Sequence, residues 1–177
     1  MGRYFDEIKR SMEWLGQDPR TIFLGQAVGN PGTFMYATVE NVDPARRLEV
    51  PVSESFQMQM SLGLSLGGFI PVSIYPRQNF LLLATSDMVN MVDKMPALSD
   101  GKVSPRMIIR AAAGTTRPIH PGHQHVGNFA AGLRSMFTTV EVVELHEPDQ
   151  VFPAYQAAFE RAGATLLLEF GDHLSEK

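Results

Sequence analysis

The chain contains no cysteine among its 177 residues. Disulfides, thiol nucleophiles and cysteine metal sites are therefore excluded. Positive charge is not in excess either: 15 Lys and Arg stand against 19 Asp and Glu, a formal net charge of -4. Without a basic stripe, a nucleic-acid partner is not expected. No apolar run approaches the roughly 20 residues that a helical membrane span needs, so no membrane association is expected. The first residues, Met-Gly-Arg-Tyr-Phe-Asp-Glu, are charged and amphipathic rather than a signal peptide, which reads as a cytoplasmic protein. Internal repeats, low-complexity tracts and charge blocks are also missing. What remains is an ordinary globular balance of 44% hydrophobic and 19% charged residues. The length suits one domain, residues 1–177, with a real core. Only Leu174 to Lys177 reads as a loose tail.

Hydrophobic spacing divides the chain into alternating elements. Tyr4, Phe5, Ile8, Met12 and Leu15 fall at helical period and stop near Gly16. Short apolar runs predict strands at Thr21–Gly25, Arg47–Val50, Ile70–Tyr75, Arg106–Ala113, Val140–Leu145 and Thr165–Glu169. Gly29-Asn-Pro-Gly32 is turn chemistry. Met88, Met91, Val92 and Met95 mark a helix face between Leu81 and Pro96, and Glu147-Pro-Asp opens another helix carrying Val151, Tyr155, Ala158 and Phe159. Residues 57–66 alternate strictly between apolar and small or polar types, a strand-like period. A buried helix is nevertheless predicted, because Ser and Gly can pack closely and parallel strands need a crossover. Continuously apolar strands alternating with helices predict an α/β fold: a three-layer αβα arrangement around a mostly parallel central sheet. Ligands in such sheets meet the carboxyl ends of the strands. Glu54, the Tyr75 to Phe80 loop and the Gly114 to His125 loop all follow strands and converge on that edge.

Glu54 is the leading candidate for chemistry. It stands in Val-Pro-Val-Ser-Glu-Ser, with Phe56, Met58 and Met60 close behind. Apolar surroundings disfavour a charged carboxyl and suit it to proton exchange. The plainer alternative is a carboxylate opening a helix after a Ser53 cap. The loop Gly114 to Asn128 carries His120, His123 and His125. His123 and His125 would share a face if extended, which admits a metal site, but no nearby carboxylate or Cys completes a ligand shell. A polar loop whose histidine exchanges protons with a bound molecule fits better, with a solvated surface loop as the alternative. Gly25-Gln-Ala-Val-Gly29 lacks the pattern of a phosphate cradle, and Gly171-Asp-His reads as a tail turn. Phe80 can stack on a flat ring or plug the core. Asp43-Pro-Ala-Arg-Arg47 reads as a solvated turn.

Taken in order, the segments Ile-Phe-Leu-Gly-Gln-Ala-Val-Gly, Val-Pro-Val-Ser-Glu-Ser-Phe and Gly-Leu-Ser-Leu-Gly-Gly-Phe-Ile-Pro-Val form a recognisable series. Asn-Phe, Asp-Met-Val-Asn, Pro-Arg-Met-Ile-Ile-Arg-Ala, Gly-His-Gln-His and Val-Glu-Val-Val-Glu complete it. The series resembles the pyrimidine-binding domain of thiamine diphosphate enzymes. It is most similar to the N-terminal half of the beta subunit of 2-oxoacid dehydrogenase decarboxylases, with transketolases more distant. The resemblance covers nearly the whole chain and implies the thiamine diphosphate-binding fold.

By that resemblance, Glu54 matches the glutamate that hydrogen-bonds the aminopyrimidine ring and favours its imino tautomer. Phe80 matches the aromatic residue that stacks on the pyrimidine. His125, and with it His123, matches the loop that faces the substrate. The departures are a Gln26 where the family often has an acidic residue, and the lack of a C-terminal domain. The diphosphate-binding domain that holds Mg2+ is lacking too. The resemblance thus implies a thiamine diphosphate site shared with a separate diphosphate-binding chain, and a dimer of heterodimers or a homodimer. It implies decarboxylation of a 2-oxo acid or transfer of a two-carbon or acyl unit. Two alternatives are a transketolase-like carboligase subunit and a non-catalytic assembly module that kept the fold. A His-loop metallohydrolase is a third.

Overall fold

A computed structural model of the chain describes residues 2–114, 116–117 and 120–174. Six strands among them form one sheet in the order β2-β1-β3-β4-β6-β5. They are β1 Thr21–Gly25, β2 Arg47–Glu49, β3 Ile70–Tyr75, β4 Met107–Ala113, β5 Glu141–Leu145 and β6 Ala164–Phe170. Every pairing is parallel, so the sheet is wholly rather than mostly parallel. Parallel neighbours need crossovers, and those crossovers cover both faces with helices.

One face carries α1 (Arg3–Leu15), α2 (Phe34–Val39) and α8 (Pro148–Glu160). Tyr4, Phe5, Ile8, Met12 and Leu15 all bury there, as their helical spacing predicts, against Phe23, Val72, Ile74, Ile108 and Leu167 of the sheet. The start of α8 is a capping box between Glu147 and Gln150, with Pro148 in the first turn, where its missing N–H costs nothing. The other face carries α3 (Glu54–Leu66), the short helices α4 (Gln78–Leu81), α5 (Thr85–Asp87) and α6 (Met95–Leu98), and α7 (Ala130–Met136). Their apolar side chains meet Tyr75, Met107, Ile109, Ala111, Leu166 and Leu168. Strand period decides the division: Ile108 and Ala112 of β4 face one layer, Met107, Ile109 and Ala111 the other. After β6, Gly171–Leu174 forms a last turn of helix, α9, where a plain turn was expected. The remainder of the expected loose tail, residues 175–177, lies outside the described residues.

The alternating segment 57–66 is helical, as predicted, but it is not buried all round. Glu54, Gln57, Met58, Ser61 and Leu62 face the sheet, while Phe56 and Leu66 are half exposed. Two polar residues of the inward face reach partners there. Gln57 donates to Ser73 Oγ and the Ile74 carbonyl at 3.1 and 3.0 Å, and Ser61 donates back to the Gln57 carbonyl. The expected helix between Leu81 and Pro96 is broken into short pieces, with a π turn at Met88–Val92. That turn buries Met88 and Val92 and leaves Met91 outside.

Asp93, which follows the π turn, is 1% exposed. Its carboxylate accepts the N–H groups of Thr138, Thr139 and Val140 at 2.8, 2.7 and 3.0 Å, and the Lys94 ammonium at 2.7 Å. Burial opposes its charge, but the hydrogen bonds from Lys94, Thr139, Val140 and Thr138 outweigh it and hold the carboxyl well below the usual range. A depressed folded value stabilises the fold above the unfolded value near pH 4 and loses that stabilisation as pH falls through the folded one. Urea unfolding at pH 7 should show Asp93→Ala less stable by about 2–3 kcal/mol, since one buried and two part-buried N–H donors lose their acceptor. The gap to wild type should narrow when the same titration is run below about pH 4; a gap that is constant with pH would refute the assignment.

Candidate active site

Because every strand is parallel, all six carboxyl ends lie along one edge. The chain leaves β1 toward β2 on one side and β3 toward β4 on the other, so the strand order reverses between neighbours β1 and β3. Such a reversal is where open α/β sheets bind ligands. Gln26 follows β1, Glu54 follows β2 and Phe80 follows β3.

Glu54 opens α3 and is 5% exposed. The helix start favours a negative charge there, and burial opposes it. The expected Ser53 cap is not made: the Ser53 side chain gives no cap hydrogen bond. Met58, one turn on, is buried on the same helix face, whereas Phe56 points to the other and is 50% exposed. The apolar neighbours in sequence therefore surround Glu54 only in part. Its side-chain partner is Gln26, whose Nε2 donates to Oε1 at 3.3 Å. The Tyr75 hydroxyl donates to the Glu54 backbone carbonyl at 3.3 Å. Burial, then the nearby Glu54 charge, against a Ser73 hydrogen bond, push that hydroxyl above its ordinary range, so it remains a donor. Among the described residues, no hydrogen bond reaches Glu54 Oε2.

Phe80 lies in α4 and is partly exposed. The His125 ring meets it edge-on, with centroids 5.5 Å apart and planes at 61°. Two bonds on either side hold this meeting. The Asn79 amide donates to the Gln124 carbonyl. The buried Gln78 accepts the Phe129 N–H at 2.9 Å. The loop after β4 is thus tied to the loop after β3. His125 Nδ1 is buried and has no hydrogen-bond partner among the described residues. His123 departs from expectation. The loop turns as a 3-10 helix at His123–His125 instead of running extended, so the two histidines do not share a face. The exposed His123 ring meets His120 instead, at 5.8 Å. Among the described residues, no group of three or more His, Asp or Glu converges as metal ligands.

A cleft of about 190 Å³ opens beside this group at the ends of β1, β3, β4 and β6, lined by Ala27, Met35, Pro76, Arg77 and Ala112 among others. It borders Gln26 and the Phe80 helix without including Glu54. Along this edge the structure thus sets a buried carboxyl with one oxygen free of hydrogen bonds, a partly exposed Phe80 ring against His125, and a cleft. Glu54, Phe80 and His125, which the sequence singles out, lie along this edge, and the contact of Gln26 to Glu54 was not foreseen. Its only signal was that Gln26 departs from the family's usual acidic residue.

A wholly parallel six-stranded sheet in this order, with helices on both faces, is a transketolase-like αβα fold. In structure, the chain matches a split-gene transketolase, solved as an inactive beta4 tetramer, with a TM-score of 0.70 and 19% identity. That match covers 93% of this chain and 50% of the solved one. In sequence, the chain is 25% identical over 122 residues to the mitochondrial pyruvate dehydrogenase E1 component subunit beta-2 of Oryza sativa subsp. japonica. The alignment takes in 67% of this chain and 32% of the rice protein. The chain therefore spans about a third of that relative and half of the solved chain. No protein-family model matches it. No helix of the described residues is long and apolar enough to cross a membrane.

Proposed function

We propose that the chain is the pyrimidine-binding subunit of a split thiamine diphosphate-dependent enzyme, active only with a partner chain. The observation that carries this reading is Glu54. It is a carboxyl buried at the sheet's reversal point, bonded by Gln26 on one oxygen and open on the other. That arrangement fits an aminopyrimidine: a ring nitrogen would take the open Oε2, and the partly exposed Phe80 would stack on the flat ring. Thiamine diphosphate, when bound, supplies carbanion stabilisation that no side chain provides. The protein's part is confined to its own atoms. Glu54 exchanges a proton at Oε2, Gln26 holds that carboxyl in place, and Phe80 orients the ring. The loop that carries His125 and the more exposed His123 faces the substrate. Decarboxylation of a 2-oxo acid or transfer of a two-carbon or acyl unit are the reactions proposed, the rice relative favouring the first and the split transketolase the second.

The diphosphate and its Mg2+ fall to the partner chain. Its docking surface flanks Glu54 and Phe80, where Val52 is 80%, Phe56 50% and Leu83 67% exposed. Exposed apolar side chains on the elements that carry the site suit a docking surface. Pairing of this chain with itself, as a homodimer or within a dimer of heterodimers, is part of the same proposal. The solved relative, which assembles as an inactive tetramer of beta chains, supports a chain that associates without turnover until its partner arrives.

Calorimetric titration of thiamine diphosphate with Mg2+ tests the reading. Binding is expected when the chain is mixed with a partner supplying a diphosphate-binding half. Binding is expected to be at least tenfold weaker with the chain alone. No heat in either mixture would sink the enzymatic reading and leave the non-catalytic assembly module.

A further inference from the structure

We infer that Glu49 is a positioning residue, which sets the site by holding the β1–α2 loop in a strained conformation that delivers Gln26 to Glu54. The inference rests on the proposed role of Glu54, and its geometry is independent of any cofactor. Glu49 ends β2 and stands opposite Gly25 in the β1–β2 ladder. Its carboxylate reaches forward to three successive N–H groups: Oε1 accepts from Ala27 at 2.8 Å, and Oε2 accepts from Val28 and Gly29 at 2.8 and 2.6 Å. Consecutive N–H groups turned to one side form an anion-binding concavity. In this chain its occupant is an internal carboxylate.

The concavity depends on Ala27, which sits at φ 62°, a left-handed conformation that a non-glycine residue rarely adopts. Such conformations persist only where the surroundings over-determine them. Two features do so. A Cβ on Gly25 would sit 2.2 Å from the Ile74 carbonyl oxygen, so β1 is pressed against β3 just before the loop and cannot shift that way. On the other side, the three bonds to Glu49 hold residues 27–29. A β-carbon on Gly29 would stand 3.1 Å from the Glu49 Cβ, so this approach is close as well. Gln26 is the single residue between these two constraints, and its side chain reaches Glu54 at 3.3 Å. Without Glu49, Ala27 would relax to negative φ and carry Gln26 away. Among the described residues, Glu49 makes no hydrogen bond to Gln26, Glu54, Phe80 or His125; it acts through the backbone.

The test follows the Gln26 side-chain amide by NMR in the purified chain, with no cofactor present, alongside hydrogen exchange of the Ala27, Val28 and Gly29 amides. In Glu49→Ala, exchange at those three amides should accelerate at least tenfold, and the Gln26 amide signal should move to its solvent-exposed position. In Glu49→Ala with Ala27→Gly, part of the Gln26 shift should return, because glycine adopts positive φ without an anchor. Glu49→Gln, which keeps shape and loses an acceptor, should fall between. Thermal unfolding of each variant separates local release from loss of fold. An unchanged Gln26 signal in a folded Glu49→Ala chain overturns the inference, and so does the lack of any recovery with Ala27→Gly. In the assembled complex, Glu49→Ala should raise the thiamine diphosphate dissociation constant about tenfold. If the wild-type complex binds no cofactor while the Gln26 signals behave as stated, the proposed function fails and the positioning role stands.

Discussion

Glu54→Gln is expected to lower turnover of the assembled complex by about 100- to 1,000-fold, the loss typical of removing one preorganised group at a reacting centre. The substitution is nearly isosteric. The amide oxygen of the new side chain can still accept from Gln26, so the loop after β1 keeps its contact. Burial at 5% exposure is also met as well by an amide as by a carboxyl. What is lost is a side chain that can both give and accept a proton at the open oxygen. The thermal midpoint of the isolated chain should therefore stay within a few degrees of wild type while turnover collapses. Glu54→Asp retains the acid but withdraws it by one methylene, and should lie between. Full activity of Glu54→Gln in a complex with its partner would remove Glu54 from the chemistry and return it to a simple helix-start carboxylate.

How much of this was legible in the sequence follows from the range of each interaction. Strands and helices are local, and all six predicted strands are present, most within a residue or two of their expected ends. The helix over 54–66 was legible despite its alternating pattern because a parallel pair needs a crossover. Where residues had to meet across the fold, the sequence was silent. Gln26 and Glu54 are 28 positions apart, and their meeting depends on the register of β1 with β2 and on the left-handed Ala27. Nothing local marks an alanine as left-handed. The extended reading of His123 and His125 failed for a similar reason: Asn79, 45 residues before Gln124, helps turn that loop into a 3-10 helix. The neighbours of Glu54 were misjudged by counting along the chain, since two residues along a helix is about 200° of rotation and puts Phe56 on the far face. The familiar motif of Pro-Val-Ser-Glu carried more than any periodicity could, because it names a residue by its chemistry rather than by its burial.

The second large effect lies in the core, at a pair that the apolar look of β4 and β6 conceals. Arg110 and Glu169 are both fully buried, 0% exposed, on adjacent strands two register positions apart. Arg110 Nε donates to Glu169 Oε1 at 2.7 Å, and another of its nitrogens donates to Thr38 Oγ1 at 2.7 Å. The Tyr155 hydroxyl donates to the same Glu169 oxygen at 2.5 Å. Burial first, then the Glu169 charge, push that hydroxyl well above its usual range, so it stays a donor. Removing one ion of such a pair strands the other in the core. Glu169→Leu is therefore expected to cost about 3–5 kcal/mol, a large part of the roughly 5–15 kcal/mol that holds a domain folded. Removing both ions, in Arg110→Met with Glu169→Leu, should recover at least half of that loss, since no charge is left unpaired. The recovery is incomplete because Tyr155 and Thr38 still lose a partner, at about 1 kcal/mol each. Urea unfolding of the two single variants and the double at pH 7 measures the coupling. A loss below about 1 kcal/mol in Glu169→Leu alone would mean that the pair is not desolvated as its burial indicates. The consequence reaches the site, because Ala112, two residues beyond Arg110 on the same face of β4, and Gly171, two beyond Glu169, line the cleft at the carboxyl edge. An unpaired charge beneath that cleft would loosen the ends of β4 and β6, so the single variant should weaken cofactor binding in the complex as well as the fold.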